Sequence, residues 1–346
     1  MHGAENQQCV SVVIPTYNRA EIVRKTLQGY AAQDSIGQIL EVLVVDDGSS
    51  DNTRSVVEEC ARSLLVPVRY LYQQNSGLAA ARNHAIREAR GDLILFGDDD
   101  IVPGQSMVNE HLAWHRRYPE PTAGVLGHVA WAPEVRATPF MEWSGLYGPQ
   151  FHFGRFRPDT ELDYSQSYFC NTSVKVEFLR ENRPFDENFR GYGWEDIEFS
   201  YRLYQRGWRL RYNPGAVGFH HKYETFDQTL RRVERLWLGG WPVFVRTEAG
   251  KHSSRIWRAQ RLQSASQRRS ALRRVLDPLK LATAPFLRPL MDSRIKLPDK
   301  FYDFVWYHYS KPIVDAAFSQ PDSVDDYGEI SRDTVAGGAP EVTIRR

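Results

Sequence analysis

The chain has 346 residues, of which 42% are hydrophobic and 25% charged, and its formal net charge is +1. That composition belongs to a globular protein with room for one large α/β domain and an extension, or for two modest domains. It excludes a general nucleic-acid binder, and no apolar run nears the roughly 18 residues of a membrane span.

Three cysteines, Cys9, Cys60 and Cys170, have no metal-ligand spacing, and their odd number suits a reducing compartment. No basic-then-apolar signal opens the chain, so the expected location is cytoplasmic. The neutral average hides an asymmetry. Residues 231–296 carry 16 Lys and Arg against 4 Asp and Glu, a local charge of +12 that leaves −11 elsewhere.

In chain order, Cys9–Pro15 is a short β-branched run closed by Pro-Thr-Tyr-Asn, and residues 21–33 space Ile22, Leu27, Tyr30 and Ala31 as a helix does. Leu40–Val45 predicts a second buried strand. Ser49 or Ser50 predicts an N-cap for the helix containing Val56, Val57 and Cys60. Val68–Tyr72 predicts a strand, Gly77–Ala89 an Ala-rich helix, and Leu93–Phe96 a fourth strand. Strands alternating with helices through short polar loops predict a mainly parallel sheet with helices on both faces, and ligands then gather at the strands' carboxyl ends. Farther on, Met107–Arg117 and Ile197–Gln205 read as helices and Val125–Trp131 as a strand. Arg209–Phe219 alternates like a strand around Asn213-Pro214-Gly215. Residues 132–168 read as a loop-heavy excursion, 226–290 as Arg-rich helix, and 319–346 as a disordered tail.

The chemistry concentrates after the fourth strand, where Asp98, Asp99 and Asp100 follow an apolar run. Self-repulsion makes such a cluster costly without a cation, and hard oxygen ligands suit Mg²⁺ or Mn²⁺, which commonly holds a diphosphate. Asp46-Asp47-Gly48-Ser49 closes the second strand, and two acidic residues there exceed what a helix cap needs. Gly191-Tyr192-Gly193-Trp194-Glu195-Asp196 leads into a helix. A carboxylate there fits general-base work on a hydroxyl, and helix capping is the plain alternative.

Taken together, Ser11–Asn18, Val44–Asp51, Phe96–Asp100 and Gly193–Asp196 resemble, in order and spacing, the family 2 glycosyltransferases. The resemblance covers about residues 10–225. It implies the GT-A nucleotide-diphospho-sugar transferase fold, joined here to a helical C-terminal extension. It also implies non-processive, inverting transfer of one sugar from a UDP- or dTDP-linked donor to an acceptor hydroxyl, since the Gln-X-X-Arg-Trp string of related processive synthases is missing. By the match, Pro15, Thr16 and Tyr17 line the base and ribose pocket, Asp47 accepts from the base's ring N–H, and Arg82 meets the phosphates or ribose. Asp100 binds Mn²⁺ or Mg²⁺, Asp98 contacts the ribose or the metal, Asp99 fills the variable place, and His220 completes the metal site, with His221 one register step away. Asp196 is the base, Glu195 orients the acceptor, Trp194 offers a face to a sugar ring, and Asn171 lies near the donor sugar.

The implied organisation is a catalytic domain over 1–225, with a nucleotide half at 10–103 and an acceptor half at 104–225. A basic helical extension over 226–318 and the tail at 319–346 follow. Within 231–296, apolar residues such as Trp237 and Trp241 lie among arginines. That region either attracts an anionic membrane surface, where a lipid-linked acceptor would sit, or packs its apolar face on the protein. Two rival readings are a nucleotidyltransferase, which expects a Gly-rich basic loop after the first strand, and a non-catalytic nucleotide-sugar-binding module. A dehydrogenase would need a Gly-X-Gly-X-X-Gly string that is missing there.

Overall fold

A computed structural model describes residues 8–253 and 285–318. They divide into two compact units, one of residues up to Ala137 with His152–Tyr223, the other of Thr138–Phe151 and the chain from Glu224 onward.

The first unit is built on an eight-stranded sheet. Its strands are β1 (Val10–Thr16), β2 (Ile39–Asp46), β3 (Val68–Tyr72), β4 (Leu93–Gly97), β5 (Ile101–Pro103), β6 (Ala123–Trp131), β7 (Asn171–Lys175) and β8 (Arg209–His220), in the order β3-β2-β1-β4-β7-β6-β8-β5. The half β3-β2-β1-β4 is parallel. Its crossovers are α1 (Ala20–Ala31), α2 (Thr53–Ser63) and α3 (Leu78–Glu88). Every residue of β1 and β4 is buried, which is why these strands read as unbroken apolar runs rather than alternating ones. Val12, Ile14, Val42, Val44, Leu93 and Leu95 form one core with Val23, Leu27, Val56 and Val57 from α1 and α2.

Within the parallel half the strand order reverses at β1. After β1, β2 and β3 the chain returns to set β4 on the other side of β1. The carboxyl ends of β1 and β4 therefore open onto a switch-point crevice. β7 runs antiparallel to β4, with Gly97 opposite Asn171, and so brings the segment before β7 to the same crevice. β8 pairs with β5, His220 opposite Ile101, which delivers the end of β8 beside Asp100. Helices α4 (Met107–Arg117), α6 (Val176–Arg180) and α7 (Glu195–Gln205) complete the unit.

β8 is continuous, but its register against β6 slips. Gly127 faces Asn213, while His128 faces Val217. Asn171, fully buried, fills that irregularity by donating from Nδ2 to the carbonyls of His128 (3.0 Å) and Ala216 (2.8 Å), while its Oδ1 lies 2.9 Å from His111 Nε2. Asn171 is thus committed to the sheet, both ends of its amide paired within the protein. The helix start at α2 differs from expectation. Asp51, not Ser49 or Ser50, accepts from the Thr53 N–H (3.0 Å), because both serines are tied to Asn18 on the loop after β1.

In the second unit, α5 (Pro139–Leu146) lies within the stretch expected to be loop-rich and is capped by Thr138, whose Oγ1 accepts from Met141 N. Its Phe140 and Trp143 pack with Phe226 of α8 (Phe226–Arg235) and with Tyr302 and Val305 of α10 (Asp299–Phe318), α9 (Trp241–Phe244) lying between in the chain. This apolar pairing is why Thr138–Phe151 groups with the second unit, although the sequence reading assigns it to the catalytic domain. Residues 254–284, the middle of the basic stretch, and the tail at 319–346 lie outside the described residues. Among the described residues, no helix is long and apolar enough to cross a membrane.

Asn171→Ala would strand two carbonyls and an imidazole at the slip. Urea unfolding should show a loss of about 3 kcal/mol, the scale of buried polar groups left without partners.

Candidate active site

The loop after β1 and the loop after β2 are laced together. Ser49 Oγ accepts from the Asn18 N–H, and Asn18 Oδ1 accepts from the N–H groups of Ser50 and Asp51. This fixes where Pro15, Thr16 and Tyr17 lie. Pro15 is buried in the strand, Thr16 turns its hydroxyl onto Asp99 (2.8 Å), and only Tyr17, 49% exposed, presents a ring to solvent. Of the three residues expected to line a base pocket, Tyr17 has the free surface to do so.

Asp47 already has partners inside the protein. Its Oδ1 accepts from Ser76 N and Gln73 Nε2, both at 2.8 Å, and its Oδ2 from Gly77 N at 2.9 Å. These bonds fasten the turn before α3, where Gly77 takes φ +94°, a conformation a side chain would oppose. A nucleobase N–H would have to share Oδ2 with Gly77. Asp46 is likewise spent on Ser49 N and the Tyr70 hydroxyl.

The three aspartates after β4 have three different neighbourhoods. Asp98, whose side chain is 36% exposed, faces Arg82 at 3.5 Å. Loss of water, with Asp100 and Asp196 nearby, outweighs Arg82 and pushes it up to about 6. Asp99 is buried against Thr16 and Arg19, and loss of water raises it to about 7. Burial would raise Asp100 as well, but His220, 3.5 Å away, and Arg19, 2.8 Å away, together hold it below the ordinary carboxylate range.

His220 is itself held by a stack. The Trp131 ring lies 5.0 Å away at 11°, a placement created by the β6–β8 register. His221, the one-step alternative, points its imidazole Nδ1 at Lys25 (3.0 Å) and meets Asp100 through the backbone, its N–H donating to the Asp100 carbonyl at 2.9 Å. Among the described residues, no three His, Cys, Asp or Glu side chains converge as a finished metal cage. Of the expected trio, Asp100 and His220 are in direct contact at 3.5 Å, while Asp98 faces Arg82 at the same distance. A pair of this kind fits a divalent ion whose remaining positions are filled by phosphate and water, the usual arrangement for Mg²⁺. The buried His220 Nδ1 has no hydrogen-bond partner.

Across the crevice, the loop 185–194 is anchored by Asn83 of α3, which donates to Phe185 O and accepts from Phe185 N, each at 2.9 Å. The sequence reading missed this residue. Gly193 and Trp194 then adopt φ +84° and +73°, two left-handed residues in succession that turn the chain into α7. The non-glycine member costs about 1–2 kcal/mol. Trp194 is only 5% exposed, so it does not offer a ring face at the surface as expected. Glu195 is buried too. Loss of water and the Asp196 charge raise its carboxyl, and its Oε2 has no hydrogen-bond partner. Asp196, in the first turn of α7, keeps a side chain 25% exposed.

Both sides converge on Arg82. This α3 side chain is 2% exposed and reaches Asp196 Oδ1 (2.6 Å), Glu195 Oε1 (3.4 Å) and Asp98 Oδ1 (3.5 Å). It lies beneath the carboxylates rather than open to a phosphate, contrary to expectation, because the Ala79-Ala80-Ala81 stretch sinks α3 into the unit.

A parallel half-sheet with acidic loops at its carboxyl ends, facing a second acidic loop across a crevice, defines the GT-A class of nucleotide-sugar transferase folds. Residues 11–170 match the family described as glycosyl transferase family 2. It is 34% identical over 238 residues to validoxylamine A glucosyltransferase of Streptomyces hygroscopicus subsp. jinggangensis, covering 62% of this chain and 56% of that protein. To chondroitin synthase of Pasteurella multocida it is 28% identical over 241 residues, covering 62% and 25%. The chain thus spans little more than half the length of the first relative and a quarter of the second. A mannosyltransferase from Pyrobaculum calidifontis, solved in complex with GDP-Man and Mn²⁺, shares the fold with a TM-score of 0.56 at 20% identity, covering 90% of this chain and 88% of that one.

Trp194→Ala should cost about 3–5 kcal/mol in urea unfolding, the scale of an aromatic ring removed from a core. Unchanged stability would return that ring to the surface.

Proposed function

We propose that the chain transfers one sugar from a nucleotide-sugar donor to an acceptor hydroxyl, with inversion and with the help of a divalent metal. The observation that carries this reading is the meeting of two acidic loops, 98–100 and 195–196, on one buried guanidinium. Transfer needs donor and acceptor groups at hydrogen-bonding range of a single reacting centre.

On the donor side, Tyr17 would lie against the base, with Asp47 and the 76–77 turn at its edge. Asp100 and His220 would hold Mn²⁺ or Mg²⁺, with Asp98 at the rim of the same site. A bound divalent ion would neutralise charge on the departing nucleoside diphosphate. A uracil or thymine nucleotide is the proposed donor class, and the TarS structure from S. aureus in complex with UDP has the same fold (TM-score 0.51, 18% identity, covering 89% of each chain).

On the acceptor side, Asp196 is the base. It is the more exposed of the two acceptor carboxylates, and its Oδ2 receives only a long bond from Phe169 N at 3.3 Å. That oxygen would take the acceptor's proton as the hydroxyl attacks the anomeric carbon, in one displacement that inverts the centre. Glu195, buried and drawn to Arg82, supports the loop from behind.

Two variants test the halves separately. Asp100→Ala should abolish Mn²⁺-dependent UDP binding in calorimetry while the fold persists, and undiminished binding would remove Asp100 from the metal site. Asp196→Asn keeps the side chain's shape and an oxygen for Arg82 to donate to, but cannot take up the acceptor's proton. Transfer should fall by at least about a hundredfold with UDP affinity little changed, the size of a general-base contribution. Near-normal transfer would make Glu195 the next candidate.

A further inference from the structure

The two terminal nitrogens of Arg82 do different work. Nη1 donates to Asp196 Oδ1 (2.6 Å) and Glu195 Oε1 (3.4 Å), whereas Nη2 donates to Asp98 Oδ1 (3.5 Å) and to the carbonyl of Phe169 (3.3 Å). Phe169 in turn donates its N–H to Asp196 Oδ2. The guanidinium carbon sits 5.6 Å from the centre of the Phe185 ring, and the side chain is almost wholly buried. Such a group has no surface left for a substrate. Its planar fork instead spans the acceptor carboxylates with one arm and the donor-side aspartate with the other.

We propose that Arg82 is a positioning residue that sets the distance and orientation between the proposed base, Asp196, and the donor-side Asp98. This rests on the glycosyl-transfer reading and assigns Arg82 a part in it that involves no contact with either substrate. Oδ1 of Asp196 is fixed by Nη1, and Oδ2 is left to the acceptor. A rigid fork suits the task, because a single guanidinium plane fixes both arms at once. Lysine keeps the charge but is a point donor on a flexible stem, so it serves one arm and releases the other.

Arg82→Lys should therefore lower kcat for transfer by about a hundredfold, the penalty for reacting groups misplaced by an ångström or so. The donor KM and Mn²⁺-dependent UDP affinity should stay within about threefold of the parent. Loss of UDP affinity in step with kcat would overturn the proposal and make Arg82 a donor contact. Unchanged kcat would overturn it too. Should the lysine variant fail to fold, side-chain ¹⁵N spectroscopy of the parent protein decides. Restricted rotation predicts separate Nη1 and Nη2 resonances without nucleotide, with Nη1 moving in Asp196→Asn. A single averaged resonance would sink the fork. That arm needs no substrate, so it stands even if the parent binds no UDP and the transfer reading itself fails.

Discussion

A full positive charge buried inside the first unit must be neutralised, and the layout of the crevice follows from how that is done. A guanidinium removed from water is tolerable only where carboxylates and carbonyls take up its protons. Arg82 finds its partners on two loops that are far apart in sequence, 98 and 195–196. Satisfying it draws those loops together. The small residues of α3 let the helix sink far enough for the guanidinium to reach both, and Asn83, the next residue, fastens the loop that leads to Glu195 and Asp196. One turn of one helix thus sets the spacing of the two halves.

Asp98, Asp99 and Asp100 show how far neighbours can separate adjacent identical groups. Asp99 loses water and gains Thr16 and Arg19, and is pushed up to about 7. Asp100 is likewise buried, but with His220 and Arg19 it stays well below the usual range. Of the three, Asp100 is the one paired with both a histidine and an arginine, and the one held low. Repulsion within the run is lowered where two members are more easily protonated than the third. Three consecutive carboxylates therefore do not act as three equal charges.

Much of this was legible in the sequence, for a physical reason. β1 and β4 are buried throughout and β2 nearly so, so their apolar runs mark them without help from neighbours, and α1, α3, α4 and α7 fall within a few residues of their expected limits. The acidic loops were legible because each follows such a strand or opens a helix. What escaped was set by partners remote in the chain. Nothing local says that Asp47 is taken by 73–77, that Trp194 turns inward, or that Arg82 faces Asp196, 114 residues away. The Trp131–His220 stack depends on a slipped register, and a slip leaves no mark in hydrophobic pattern. α5 escaped because a Pro- and Gly-rich stretch masks a helix whose apolar residues pack on α8 and α10.

The slip in β8 has a consequence for how this sheet tolerates change. Pro214 and Gly215 sit outside the ladder, exposed, while Asn213 closes the excursion by accepting from the Gly215 N–H at 2.9 Å. On either side the strand is locked, Asn213 opposite Gly127 and Val217 opposite His128, with Asn171 riveting the join. Extra residues at this point would lengthen a loop already out of plane and leave the pairing of His220 with Trp131 untouched. Beyond the kink, between Val217 and His220, a one-residue insertion would flip the strand's faces and carry the imidazole to the wrong side of the sheet. The kink is thus a joint where the protein can gain length without losing aim.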